Sequence, residues 1–544
     1  MTTTASRWRH ALAIAAAAGV SMLTMTAAMA VDVTVWAWDT NFNGAAMKEA
    51  ASRYAPSHPD VNIKIDDSMQ QDDIRQKLQT QLLAGDTTGL PDIVLIQDDV
   101  AQKYLQSFPG AFVPLSDSID MTAFAPYKVA AATYDGKSYS LPFDSGVTGL
   151  FYRADYLEQA GYKAADLQDL TWDKFIQIGK DVKAKTGHNL IALDLNGDGI
   201  IRVMMQSAGA WYFNADGSLN IVDNKPLKAA LETYAKIWQA DIVKPASGWT
   251  EFTGAFTSGE TAVALNGVWM TGTIKSQPDQ AGKWGVAPIP KLEGVEGATG
   301  YSNEGGSSWY VLSSGAGKDA AVDFLKSIWA TDVDFYQKIL IGQGAFSTWL
   351  PASQGAAYKA SDDFFGGQPV WANFSDWQAK IPSIDYGIYT AEVDAAVIAQ
   401  LPAITKGGSV DDALKAINDK ADAENHKATI AQLQRGMIEI TQRLERAENR
   451  TGETLKTFEM TVTSIARRLE ELDAPRPSAT QDMLRTIESR IEQMAERLNR
   501  NEELTLQAAQ TVERAIAGMS DSLNTSEGRA RETVESLHVM LERM

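Results

Sequence analysis

Acidic and aromatic side chains gather where the predicted strands of this chain end. Trp38, Asp39 and Asn41 follow the first strand, and Gln97, Asp98 and Asp99 follow the third. Trp269 follows a buried run at residues 262–265 across a turn at Asn266 and Gly267. An indole offers an apolar face to the axial C–H groups of a pyranose, and carboxylates and amides offer fixed partners to its hydroxyl rim. The set therefore has the parts of a sugar site, although a Trp after a buried strand serves equally as a plug for a core.

Other candidates are weaker. Arg202 follows a hydrophobic pair and could bond hydroxyls, but a salt bridge on a helix fits as well. Trp211 and Trp349 stand in loop-like contexts, where a cleft role and a packing role are evenly matched. Trp172, Trp238 and Trp329 fall on helical faces and read as packing, while Trp249, Trp309, Trp371 and Trp377 stay open. Asp98 with Asp144 could supply the two carboxyl groups of glycoside hydrolysis, but no clear acid motif accompanies them, and no catalytic residue is assigned. The run Asp194-Leu-Asn196-Gly-Asp198-Gly199 copies the first half of an EF-hand loop, yet Met205 stands where a bidentate Glu is needed. An Asx-rich turn is the better reading, and neither metal nor cofactor is expected.

These residues need elements to position them. The alternating run at 31–38, a short strand at 61–65 and DIVLI at 92–96, which has no polar residue after Asp92, are separated by helical patterns at 42–54 and 72–83. Strands alternating with helices indicate a parallel sheet covered on both faces, with ligands beyond its carboxyl ends. Residues 138–153 read as a crossing between lobes with Asp144 and Ser145 at the crossing point, and WGVAPIP at 284–290 reads as the return.

Composition narrows the classes. The chain has 544 residues, more than one core usually organises, and a net charge of -20 that argues against nucleic acid as a partner. With no Cys, disulfides and thiolate chemistry are excluded, and five scattered His make a His-built site unlikely to arise. Arg7, Arg9 and His10 precede an apolar run at 11–28 ending in Ala28-Met29-Ala30, the pattern of a signal peptide cleaved after Ala30, which predicts a periplasmic protein.

In order along the chain, PDIVLI, LPFDSGVTGLFYRADYLEQAG, TWDKF, AFTSGETAVALNGVWMTG, WGVAPIPKLEG and GGSSWYVLSS resemble the family 1 extracellular solute-binding proteins of bacterial carbohydrate ABC transporters. The opening DVTVWAWDTNFNGAAMKEA looks most like the lactose/L-arabinose type. The resemblance spans about residues 31–424. It implies an α/β, periplasmic-binding-protein-like fold of type II, with two lobes built from discontinuous segments that close over a sugar by hinge motion. It implies an ABC permease in the inner membrane as partner. It places Trp269 at the stacking aromatic, Asp98 or Asp99 at a hydroxyl-binding carboxylate, Trp38, Asp39 and Asn41 in the loop after the first strand, and Asp144, Gly306 and Ser307 in crossing and cleft segments. The expected lobes are 31–142 with 285–330, and 143–284 with 331–423.

All 14 Trp lie at or before Trp377, and beyond about Glu424 the composition turns to Glu, Arg, Gln, Thr and Ala. Ile430, Leu433, Met437, Ile440 and Leu444 set a heptad seam; a second runs from Leu455 to Leu472, and after an interruption at Pro475 and Pro477 the pattern resumes at Leu484. Residues 424–544 are thus expected to form an α-helical coiled-coil extension able to self-associate. A secreted carbohydrate hydrolase and a scaffold acting through this extension are the alternatives to a sugar receptor.

Overall fold

The computed structural model describes residues 30–424 except Ala215; the expected signal peptide and the coiled-coil extension lie outside the described residues. The strands, in chain order, are β1 (Val31–Trp36), β2 (Val61–Asp66), β3 (Ile93–Gln97), β4 (Thr133–Tyr134), β5 (Lys137–Ser138), β6 (Ser140–Pro142), β7 (Thr148–Arg153), β8 (Asn189–Asp194), β9 (Val243–Ala246), β10 (Thr261–Gly267), β11 (Trp284–Ala287) and β12 (Ser307–Val311). They form two five-stranded sheets, ordered β2-β1-β3-β12-β6 and β11-β7-β10-β8-β9, while β4 and β5 make a small hairpin. Each sheet is the floor of one lobe.

In the first lobe β1 pairs in parallel with β2 and β3, and β12 joins β3 antiparallel. The apolar β3 is buried on both faces, as the parallel-sheet reading requires. Asp92, just before it, ties the lobe together. Its Oδ2 accepts from the Thr34 amide and hydroxyl at 2.8 Å each, and its Oδ1 accepts from the Gly317 amide at 2.7 Å.

The second lobe is mixed: β10 runs parallel to β8 and antiparallel to β7. The helix Trp172–Thr186 covers it and is capped as expected, with the Thr171 hydroxyl accepting from the Lys174 amide at 3.3 Å. Trp172 and Trp329 are core side chains, and so is Trp309 on β12, whereas Trp238 is half-buried.

The lobe boundaries differ from the expected ones in two places. The strand β11, expected to open the return to the first lobe, pairs with β7 through Trp284–Arg153 and Val286–Phe151 and so belongs to the second sheet. The return is completed only at β12. The helix Val333–Gln343, expected in the second lobe, packs on the first, where Lys338 reaches Glu49 at 2.7 Å and the preceding Asp332 binds Arg53 at 2.9 Å. The final helical residues 410–424 bury Leu414, Ile417 and Ala421 in the second lobe's core.

Three chain segments connect the lobes side by side. Val147 bridges Asn303 and Asp144 bridges Ser347, both antiparallel, and the Ser145 amide donates to the Phe346 carbonyl at 2.9 Å. The crossing read at Asp144 and Ser145 is therefore the central strip of a three-segment hinge.

Candidate ligand-binding cleft

The carboxyl ends of β3, β8 and β10 and the crossing at 302–306 bring the polar candidates together. At the end of β3 the helix Asp98–Ser107 begins, so Asp98 and Asp99 are consecutive first-turn residues and point in different directions. Asp98 turns inward. Its carboxylate is 3 % exposed, meets the Lys128 ammonium at 2.5 Å and accepts from the Ser308 hydroxyl at 3.0 Å. Lys128, fully buried, also donates to the Ser307 carbonyl at 2.8 Å. Burial pushes the Asp98 carboxyl up to about 6 although the adjacent ammonium opposes the shift. Asp98 is thus consumed by an internal ion pair, and the expectation that it lines the cleft is corrected.

Asp99 turns the other way, across the cleft. Its Oδ2 meets Arg202 Nη2 at 3.1 Å, joining the first lobe to the helix Gly199–Ser207 of the second. A parallel link runs one turn along, where Lys103 meets Glu392 at 2.9 Å. The other Arg202 nitrogen lies 3.6 Å from Asp394, and its guanidinium stands over the Trp211 ring at 5.4 Å. The salt-bridge reading of Arg202 is what the geometry shows, although its partners lie on other elements and not along its own helix.

Of the acids that surround Arg202, sequence reasoning named Asp99, read Asp198 as part of a turn, and missed Asp394 and Glu304. Burial raises Asp198, and it pushes Asp394 up to about 8 against the pull of Arg202. After burial and Arg202, the charge of neighbouring Asp198 adds to the rise of Asp394. Glu304, half-buried in the crossing segment, is likewise pushed up to about 7 by burial. Four carboxyl groups around one guanidinium form a strongly polar, acceptor-rich floor. The available signals were Glu304 beside the Gly305-Gly306 pair and Asp394 among the apolar residues Val393, Ala395, Ala396 and Val397.

Trp269 stands at the edge of this floor. It is half-buried in a short turn after β10, and its indole N–H donates to the Glu304 carbonyl at 3.0 Å. A face of its ring meets Trp249, centroids 5.7 Å apart and planes 37° apart. Trp249 is 55 % exposed.

The remaining candidates separate clearly. Asp144 accepts at its Oδ1 from the Ser307 amide at 2.8 Å and the Ser307 hydroxyl at 2.5 Å, which ties the start of β12 to the crossing point. Of the pair considered for hydrolysis, Asp98 is held in a buried ion pair and Asp144 Oδ1 is held by Ser307. Gly306 has φ +96°, and a Cβ there would stand 2.9 Å from Asp98 Oδ2, which explains a glycine beside the buried pair. Trp211 is buried, its N–H donating to the Thr390 hydroxyl at 2.8 Å, so it supports Arg202 from below. Trp349 is buried and stacked on Tyr336 at 5.5 Å, a core plug. Trp38 is half-buried and lines a small apolar pocket with Ile74, Leu78 and Gln97. Asp39 and Asn41 are exposed, with Asp39 Oδ1 accepting from the Asn41 amide at 2.8 Å in a turn before the first helix. The loop at Asp194 is an Asx turn, its Oδ1 accepting from the Asn196 amide at 3.0 Å.

A family model described as bacterial extracellular solute-binding protein matches residues 49–366. The chain is 60% identical over 383 residues to the lactose-binding protein of Rhizobium radiobacter, covering 70% of this chain and 90% of that one. The chain belongs to the bacterial extracellular solute-binding protein family. This solute-binding protein is also 25% identical over 298 residues to an arabinooligosaccharide-binding protein of Bacillus subtilis (strain 168), over 52% of this chain and 66% of the relative. Its fold is that of a solved extracellular solute-binding protein of family 1, with a TM-score of 0.63 at 22% identity over 72% of this chain and 99% of the other. The galacto-N-biose/lacto-N-biose I-binding protein of Bifidobacterium longum shares the fold with a TM-score of 0.61 at 19% identity, over 74% and 98% of the two chains. These relatives are binding proteins, and the two-lobe architecture of this one is theirs.

Proposed function

We propose that this solute-binding protein is a periplasmic receptor that holds a sugar between its lobes and hands it to an ABC permease, with a disaccharide of the lactose type as its ligand. The observation that carries the reading is the half-buried Trp269 indole standing beside the Arg202 acid floor at the lobe crossing. It pairs an apolar ring face with a dense set of hydroxyl partners. The identity to a lactose-binding relative supports the choice of ligand. Arg202, Asp99, Asp394, Glu304 and Trp269 form the proposed contact set.

The mechanism is ligand-stabilised closure. A sugar contacting Asp99 on one lobe and Trp269 on the other favours the closed form by its difference in affinity for the two forms. The signal peptide expected at residues 1–30 fits this location, and mass measurement with and without residues 424–544 tests whether the chain self-associates through them.

Calorimetry of the mature protein across a sugar panel tests the reading. Lactose binding is expected, and no binding to any sugar by folded protein refutes it. Trp269→Ala is expected to weaken lactose at least ten-fold while keeping the unliganded melting temperature within a few degrees. A collapse of that temperature would make Trp269 a core residue.

A further inference from the structure

Trp249 is the most exposed aromatic among the large hydrophobic residues found on the described surface, and it begins the helix Trp249–Thr257 directly beyond β9. Its neighbours are fixed. The Leu195 amide donates to the Ala246 carbonyl at 3.0 Å and the Gly248 amide to Asp194 Oδ1 at 3.4 Å, so the loops after β8 and β9 are tied together. The first of these loops ends at Asp198, within the acid floor. On its other side Trp249 lies against Trp269, which is held to the crossing segment through Glu304. From the lobe junction outward the order is therefore Arg202 with its acids, Glu304, Trp269 and then Trp249. Asp198, Trp249 and Trp269 follow the carboxyl ends of β8, β9 and β10, the edge where ligands of such sheets lie.

An indole left more than half exposed, when Phe252 beside it is half-buried, has an uncovered face. The apolar side of a sugar ring is the occupant that the adjoining Trp269 and acid floor select, because the second ring of a ligand anchored there must leave along this surface. We infer that Trp249 is a specificity-determining residue that stacks on the outer ring of a ligand of two or more sugar units whose inner ring rests on Trp269. The inference rests on the sugar-receptor reading and adds the number of units recognised. An acceptor-rich floor alone would discriminate poorly between a free monosaccharide and the same ring in a disaccharide; a second platform supplies that discrimination.

Calorimetry with lactose, galactose and glucose on the full mature chain tests it, using wild type, Trp249→Ala, Trp249→Phe and Trp269→Ala. Wild type is expected to bind lactose at least ten-fold more tightly than either monosaccharide. Trp249→Ala should weaken lactose by about three- to ten-fold. It should leave monosaccharide binding within about two-fold, and Trp249→Phe should recover most of the loss. Trp269→Ala should weaken all three sugars. Equal losses for lactose and monosaccharides in Trp249→Ala, unchanged lactose affinity in that variant, or wild type binding a monosaccharide as tightly as lactose each overturn the inference. Wild type binding none of the three sugars defeats the receptor reading itself, a separate result. Because Trp249 is exposed, its variants are expected to melt with wild type, and differential scanning confirms that any loss belongs to binding.

Discussion

Replacing Lys128 by Met isolates the Asp98 carboxylate in a site that is 3 % exposed. In the intact protein the ammonium stands 2.5 Å away, and the Ser308 hydroxyl is the other partner. Breaking a buried pair by removing one member costs about 3–5 kcal/mol, because the charge left behind is uncompensated. The carboxyl can escape by taking up a proton, at about 1.4 kcal/mol for each pH unit by which the solution lies above its ordinary pKa. The cost of Lys128→Met should therefore fall as the pH is lowered. Urea unfolding at pH 7.5 and 5.5 is expected to give a loss of about 3–5 kcal/mol at the first and some 2 kcal/mol less at the second. The double variant Asp98→Asn with Lys128→Met should recover at least half of the loss at pH 7.5, since no charge is then stranded. Lactose affinity of that double variant should stay within a few-fold of wild type. A Lys128→Met loss under 1 kcal/mol, or one independent of pH, would refute the buried-pair reasoning. Loss of lactose binding in a stable Asp98→Asn single variant would return Asp98 to the ligand site.

Two further outcomes are expected. Burial raises the Asp394 carboxyl from its ordinary value to about 8, so the folded form binds more protons than the unfolded chain between about pH 4 and 8, and this group's share of stability is present below that window and lost as pH rises through it. The melting temperature should fall less between pH 5 and 8 in Asp394→Asn than in wild type; equal slopes would remove Asp394 from the account. Asp99→Asn breaks the pair with Arg202 across the cleft, and because the pair is partly exposed the effect should be modest, about two- to five-fold weaker lactose binding by calorimetry, reduced further by added salt in wild type than in the variant. An unchanged salt dependence would show that the pair does not contribute to closure.

Much of the fold was legible because its signals are local. The uninterrupted DIVLI needs cover on both faces, and the glycine-bearing turn after residues 262–265 places Trp269 at a strand end wherever that strand lies. The misplaced boundary at β11 has a local cause too. A four-residue strand followed by Pro288 and Pro290 looks like a connecting segment, and only its ladder with β7 identifies it as sheet. The site was less legible because its groups meet from far apart in sequence: Asp99, Arg202 and Asp394 converge on one point from three helices. The choice between Asp98 and Asp99 turned on a rotation of about 100° between neighbours in a helical first turn, which no pattern of residue types reveals. A buried lysine in the short helix Pro126–Ala131 was the only sequence trace of the partner that claims Asp98.

The bond between the Trp269 indole and the Glu304 carbonyl couples an optical probe to the hinge. Glu304 belongs to the crossing strip, its amide donating to the Gly146 carbonyl at 2.8 Å, so the ring is fastened to the strip that must bend when the lobes move. Indole emission responds to the polarity and hydrogen bonding around the ring. Under the contact set proposed above, occupancy of the cleft and flexing of the hinge would register on the same chromophore without a label.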